Sequence, residues 1–129
     1  MSAKRLQSGG SAIDRSRPLS FSFDGHTVTG FAGDTIASAL LANDVAVVGR
    51  SFKYHRPRGI WGAGVEEPNA LVDIGGATPT TPNTRATTEA AREGLVARSV
   101  NATPSAATDR NAFLDRFSAM AVVAARSAV

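Results

Sequence analysis

The clearest pattern of apolar and polar positions lies between residues 19 and 43. Leucine or phenylalanine alternates with serine from Leu19 to Phe23, and Asp24-Gly25 follows directly. This predicts a half-buried strand that enters a tight hairpin, with residues 26–31 as the returning strand. After Gly33, apolar residues recur three and four positions apart, which predicts one helix over about residues 35–43, with its N-terminal cap at Asp34 or Thr35.

The pattern is weaker after this helix. Residues 45–48 are a short apolar run that could be a buried strand or the segment where the helix meets the sheet. The remaining segments predict a strand over residues 71–74, a loop containing Pro79 and Pro82, a helical turn over residues 88–92 and a last strand over residues 95–100. A hairpin followed by a helix and further strands is an α+β order.

The 129 residues divide into three parts by composition. Residues 1–17 are rich in Gly, Ser and Arg without periodicity, which predicts an extended N-terminal arm. Residues 18–101 hold the predicted strands and helix. Residues 102–129 begin with Ala, Thr and Ser, and then apolar residues return at helical spacing: Phe113, Phe117, Met120, Ala121 and Ala124. The spacing of these apolar residues therefore predicts a C-terminal amphipathic helix in the tail.

Composition excludes several classes of site. The chain contains no cysteine, which excludes a disulfide framework, a catalytic thiol and a thiolate-bound zinc or iron–sulfur centre. The start of the chain lacks the apolar core of a secretory signal. The longest apolar run, residues 120–125, is far shorter than the roughly 20 residues needed to cross a bilayer. We therefore expect a cytoplasmic protein without a membrane span.

Residues 50–58 carry four cations and no acidic residue. The loop could hold an anion such as phosphate, and the same cluster is also typical of a solvated loop or of one that faces another subunit. Nucleic-acid binding is less favoured, because two glutamates follow closely and only 6% of the residues are aromatic. The candidate contacts for an anion or a subunit are Arg50, Lys53, His55, Arg56 and Arg58.

No catalytic residue is predicted. His26 and His55 have no second ligand at metal-binding spacing. Glu66 and Glu67 are neighbours in an extended segment, so their side chains should point to opposite sides, and we interpret them as a solvated pair. The chain also lacks a complete dinucleotide-binding glycine motif and a nucleophile elbow.

Several blocks of the sequence carry a resemblance to one protein family. The longest are residues 33–43, Gly-Asp-Thr-Ile-Ala-Ser-Ala-Leu-Leu-Ala-Asn, and residues 48–60, Val-Gly-Arg-Ser-Phe-Lys-Tyr-His-Arg-Pro-Arg-Gly-Ile; residues 66–72 are a shorter one, Glu-Glu-Pro-Asn-Ala-Leu-Val. From about Arg5 to Ser105 the chain resembles the N-terminal region of the alpha subunit of heterotetrameric sarcosine oxidase. The resemblance implies a β-grasp domain similar to plant-type ferredoxins.

The resemblance also implies a lost iron–sulfur cluster. Related dehydrogenase subunits carry a 2Fe-2S cluster in the loop after residue 60, and the plant-type ligand spacing is Cys-x4-Cys-x2-Cys with a distant fourth cysteine. On this chain the first three positions would fall on Gly62, Glu67 and Ala70, and the fourth on Thr87. None of these residues can supply a thiolate, so we expect a cluster domain without its cluster.

The resemblance implies a non-catalytic scaffold or interface role. The family's holoenzyme oxidises sarcosine to glycine, transfers the one-carbon unit to tetrahydrofolate or releases formaldehyde, and forms hydrogen peroxide. We expect FAD, FMN, NAD and tetrahydrofolate only in the full complex, with its beta subunit and other subunits, and no cofactor in this chain. The tail departs from the family after Ser105. The alternative is a stand-alone interaction module that binds anions or nucleic acid through Arg50 to Arg58.

Overall fold

The computed structural model describes residues 5–10, 12–75 and 79–114. In chain order the elements are β1 (Asp14–Phe23), β2 (His26–Ala32), α1 (Ile36–Ala42), β3 (Gly49–Arg50), β4 (Pro57–Arg58), β5 (Leu71–Gly75), β6 (Pro79–Arg85), β7 (Val96–Ser99) and a 3-10 turn (Ala112–Leu114). In the described part of the chain, no helix is long and apolar enough to cross a membrane.

Five strands form one mixed sheet in the order β2-β1-β7-β5-β6. The β1 strand is antiparallel to β2 and parallel to β7, and β5 is antiparallel to both β7 and β6. A parallel pair needs a long connection, and the chain between β1 and β7 includes α1. The short strands β3 and β4 pair separately. A mixed sheet with one helix confirms the α+β prediction and is consistent with a ferredoxin-like β-grasp.

The predicted hairpin is confirmed between β1 and β2. Asp24 and Gly25 both have positive φ, 50° and 82°, which a two-residue turn of this type requires. The Asp24 carboxylate also accepts hydrogen bonds from the backbone N–H groups of Ser99, at 2.8 Å, and Ala106, at 2.9 Å. The turn thus connects the hairpin to β7 and to the segment that follows it.

The predicted helix is also confirmed, with Thr35 as its cap. The Thr35 hydroxyl accepts from the Ser38 N–H at 3.1 Å, and the Ser38 hydroxyl accepts from the Thr35 N–H at 3.0 Å. This reciprocal pair satisfies two of the N–H groups at the helix start. Ile36 and Leu40 are fully buried in a core with residues of β1, β2 and β5. Packing stabilises this seven-residue helix, since isolated helices so short are marginal.

Three local predictions are wrong. The stretch around Pro79 and Pro82 is strand β6, because it lies at the sheet edge, where a missing N–H is tolerated. Residues 88–92 form no helical turn; Ala90 instead makes a bridge to Thr35. Strand β1 begins at Asp14, five residues before Leu19. Residues 45–48 are not a strand, in agreement with the alternative that they join helix to sheet.

The first residues of the tail pack onto the domain. Ala106 and Asp109 are buried, and the 3-10 turn ends at Leu114. Phe113, the first residue of the predicted amphipathic helix, is exposed within this turn. The other residues of that helix, Phe117, Met120, Ala121 and Ala124, lie outside the described residues.

The N-terminal arm is attached to the domain through Arg5. Its guanidinium donates to both carboxylate oxygens of Asp34, at 3.3 and 2.9 Å, and lies 5.2 Å from the centroid of the Phe31 ring. Asp34 is 1% exposed and also accepts from the Ser38 hydroxyl at 2.7 Å. Burial raises the pKa of Asp34, but hydrogen bonds from Ser38 and Arg5 outweigh burial and lower it.

We expect Arg5→Ala to lower the free energy of unfolding by about 1–3 kcal/mol, because a buried carboxylate loses a charged donor. Arg5→Lys should restore only part of this, since lysine cannot form the two-point contact. The exposed Arg17→Ala is the matched control. Urea unfolding checks the prediction, and equal midpoints for Arg5→Ala and Arg17→Ala would contradict it.

Candidate functional site

The loop between β4 and β5 is built around the side chain of Glu67, which is 1% exposed. One carboxylate oxygen, Oε2, accepts hydrogen bonds from the backbone N–H groups of Trp61 and Gly62. The other oxygen, Oε1, accepts from the Asn69 N–H at 2.8 Å. The backbone of Ala70 also contributes to lowering the pKa of Glu67. Three backbone donors from both ends of the loop therefore bind one anion.

These donors keep the carboxylate ionised. Burial raises the pKa of Glu67, but the N–H groups of Gly62, Asn69 and Trp61 outweigh burial and hold this pKa below its ordinary value. None of the ion pairs among the described residues includes Glu67. Its charge is stabilised by backbone dipoles, so it needs no cation beside it.

The interpretation of Glu66 and Glu67 as a solvated pair is wrong for Glu67. Glu66 is exposed, as expected, and its Oε1 accepts only a 3.2 Å hydrogen bond from the Gly64 N–H. Adjacent side chains do point apart, but in this curved loop one of them points inward. The sequence gives no sign of which glutamate that is.

The four positions inferred from the cluster spacing lie around this loop. Gly62 donates to the Glu67 carboxylate, and the backbone of the buried Ala70 contributes to lowering the pKa of Glu67. Thr87 is buried, and its hydroxyl donates to the Gly64 carbonyl at 2.7 Å, which also accepts from the Glu67 N–H at 3.2 Å. The structure thus places residues from distant parts of the sequence in one hydrogen-bonded unit.

These residues do not fit a 2Fe-2S cluster. Such a cluster is held by four thiolates. The four positions offer a glycine hydrogen, a carboxylate, a methyl group and a hydroxyl, and the backbone donors at the centre already bind Glu67. The described residues also contain no group of three or more His, Asp or Glu side chains that could hold a metal ion.

The loop of residues 50–58, called the basic loop below, is fixed by a second buried carboxylate, Asp109. The Nδ1 atom of His55 lies 2.6 Å from Asp109 Oδ2, and Asp109 Oδ1 accepts from the Thr103 N–H at 3.0 Å. Arg50 Nε is 3.7 Å from Asp109 Oδ2 and donates to the Ala106 carbonyl at 2.9 Å. Burial raises the pKa of Asp109, but hydrogen bonds from Thr103 and His55 outweigh burial and lower it.

The five candidate contacts consequently separate into two groups. Arg50 and His55 are held inside the domain, and Arg50 Nη1 also donates to the His55 carbonyl at 2.8 Å. Lys53, Arg56 and Arg58 are exposed. Lys53 and Arg56 lie 5.3 and 5.7 Å from the centroid of the Tyr54 ring. The structure does not bring all five together as one anion site, and sequence reasoning missed Asp109, which lies 54 residues from His55.

In the described residues, a five-stranded mixed sheet with one α-helix is consistent with a ferredoxin-like β-grasp domain. The chain belongs to the family described as "2Fe-2S iron-sulfur cluster binding domain", which matches residues 16–102. The description of the family refers to a 2Fe-2S cluster, whereas this chain contains no cysteine.

The chain is also similar to curated proteins called "Sarcosine oxidase subunit alpha". It is 59% identical over 109 residues to the one from Rhizobium meliloti (strain 1021), covering 84% of this chain and 11% of that protein. It is 49% identical over 69 residues to the one from Corynebacterium sp. (strain U-96), covering 54% of this chain and 7% of that protein. The chain thus spans about a tenth of these relatives, and the matches confirm the resemblance drawn from its blocks.

One solved structure has a similar fold. It is the crystal structure of L-proline dehydrogenase from P. horikoshii, with a TM-score of 0.52 and 20% sequence identity. The match covers 67% of this chain and 16% of that chain. At this identity the similarity supports the fold alone.

Proposed function

We propose that this chain is the N-terminal, non-catalytic scaffold and interface portion of a cytoplasmic sarcosine oxidase alpha subunit. The observation that carries the proposal is the 59% identity to such a subunit over 84% of the chain. A ferredoxin-like loop without thiolates cannot pass electrons through a 2Fe-2S cluster. Its contribution to an oxidoreductase would therefore be structural.

In the proposed complex, the chemistry belongs to other domains and subunits. FAD, FMN, NAD and tetrahydrofolate would bind there, and sarcosine would be oxidised to glycine with one-carbon transfer or formaldehyde release. The His55 and Asp109 pair does not argue for catalysis in this chain. The Asp109 carboxylate is buried and bound to the backbone, so the pair holds the loop in place.

The proposed interface is the surface of residues 52–65. Phe52, Trp61 and Val65 are 84%, 80% and 72% exposed, which is high for large apolar side chains. The exposed cations Lys53, Arg56 and Arg58 lie in the same stretch. Exposed aromatic and apolar residues beside arginine are typical of protein interfaces. We propose that this surface contacts the beta subunit or the rest of the alpha subunit.

Co-expression with the flavin-bearing beta subunit tests this proposal. The tagged chain should retain that subunit on affinity purification. The triple variant Phe52→Ser, Trp61→Ser and Val65→Ser should retain at least about tenfold less beta subunit, since buried aromatic anchors dominate interface energies. Leu41→Ser is the control, because Leu41 is an exposed apolar residue of α1 outside this surface.

The alternative makes a different prediction. A stand-alone module would bind a short oligonucleotide with affinity that falls steeply with salt, and Lys53→Ala with Arg56→Ala would abolish this binding. Oligonucleotide binding of that kind, with no retention of the beta subunit, would overturn the scaffold proposal.

A further inference from the structure

We propose that the buried carboxylate of Glu67 replaces the iron–sulfur cluster as the centre around which this loop folds. The family is described by a 2Fe-2S cluster, whereas the loop between β4 and β5 in this chain surrounds the Glu67 carboxylate. The inference concerns the folding of this chain and does not depend on the sarcosine oxidase proposal.

The first argument is the direction of the backbone donors. The N–H groups of Trp61 and Gly62 approach the carboxylate from one end of the loop, and that of Asn69 from the other. The side chain is thus a bridge across the loop, comparable to a cluster held by ligands from both ends. Without an acceptor there, the N–H groups of Trp61, Gly62 and Asn69 would lose their partner, and each buried unsatisfied donor is costly.

The second argument is chemical similarity. A thiolate-bound cluster is anionic, and hydrogen bonds to its sulfur atoms are part of how a protein stabilises it. The carboxylate has the same sign of charge and accepts the same kind of donor, but it is much smaller. The small residues Gly62 and Ala70 and the Thr87 hydroxyl at the other three positions fit a contracted centre.

The third argument is that the loop remains joined to the rest of the domain at the fourth position. Thr87 donates to the Gly64 carbonyl, and the Ala86 N–H donates to the Ala70 carbonyl at 2.8 Å. Ala70 and Ala86 are both fully buried. The fourth cluster ligand would make this connection in a relative with a cluster, and here hydrogen bonds make it.

Amide hydrogen exchange in the 129-residue chain tests the role of Glu67. In Glu67→Ala, the N–H groups of Trp61, Gly62 and Asn69 should exchange at least about tenfold faster than in the parent chain, because their acceptor is gone. Glu67→Gln should weaken protection less, since one acceptor oxygen remains. The matched control is Glu66→Gln, which should leave these three rates within about twofold. Unchanged rates in Glu67→Ala would overturn the proposal.

A second experiment keeps the proposal falsifiable even if the Glu67 variants do not fold. A chain carrying Gly62→Cys, Glu67→Cys, Ala70→Cys and Thr87→Cys is reconstituted anaerobically with iron and sulfide. A Cβ atom at Gly62 would meet first the flexible Glu66 side chain, at 3.2 Å, so a side chain fits there once Glu66 moves by a few tenths of an ångström.

We expect the four-cysteine chain to gain the visible absorption of a 2Fe-2S cluster and a higher thermal midpoint than without iron. The same chain with Glu67 retained, and only three cysteines, should gain neither. A folded four-cysteine chain that binds no cluster would place the former ligands elsewhere and overturn the equivalence of Glu67 with the cluster.

Discussion

The free energy of unfolding is expected to fall steeply as the pH drops below about 4. The reason is that three buried carboxylates stay ionised in the folded chain and take up protons when the chain unfolds. Asp34, Glu67 and Asp109 have pKa values below their ordinary values of 3.8 for aspartate and 4.5 for glutamate. Burial acts in the opposite direction at each site, but hydrogen bonds to the ionised form outweigh it.

The sign follows from proton binding. Between the ordinary pKa and the lowered one, the unfolded chain binds more protons than the folded chain, so lowering the pH favours unfolding. The stabilisation is complete above about pH 5 and is lost as the pH falls through the lowered pKa values. A domain of this size is stabilised by only about 5–15 kcal/mol in total. Three such groups can therefore determine the pH at which the domain unfolds.

Urea unfolding between pH 3 and pH 7 measures this dependence. Asp34→Asn should flatten the acid side of the curve, because it removes one of the three groups that take up protons. Thr27→Ala, at an exposed position, removes no titratable group and is the control, which should leave the shape of the curve unchanged. A midpoint that does not change from pH 7 to pH 3 would contradict the prediction.

The elements with local signals could be predicted from the sequence. The β1–β2 hairpin follows from strict alternation and from two residues that accept positive φ, and α1 follows from its spacing and its cap. The strand β6 could not be predicted in this way. Its two prolines are tolerated only because the global strand order leaves it at the edge, and that order is not a local property.

For the candidate site, the sequence offers positions but not their chemistry. The spacing taken from the resemblance identifies Gly62, Glu67, Ala70 and Thr87, and the structure places them around one loop. The spacing alone does not show that the Glu67 carboxylate occupies the centre of the loop, because convergence of backbone N–H groups depends on the three-dimensional course of the loop. Asp109 was missed for a similar reason: its partner His55 is 54 residues away, and the resemblance ends before it.

Asp109→Ala is expected to lower the free energy of unfolding by about 3–5 kcal/mol, the usual cost of removing one partner of a buried ion pair. The change leaves His55 and the Thr103 N–H without their acceptor and removes the carboxylate 3.7 Å from Arg50. Asp109→Asn keeps an acceptor for Thr103 but loses the charge, so we expect a smaller loss of about 1–3 kcal/mol.

The exposed Arg110→Ala is the matched control for both variants. Urea unfolding gives the overall loss, and hydrogen exchange of the His55 N–H, which donates to the Ser51 carbonyl at 3.1 Å, reports the loop itself. This N–H should exchange faster in Asp109→Ala while those around Glu67 keep their protection, because a different carboxylate fixes each loop. If Asp109→Ala unfolded at the same urea concentration as Arg110→Ala, Asp109 would not hold the basic loop, and the surface of residues 52–65 would need another explanation for its shape.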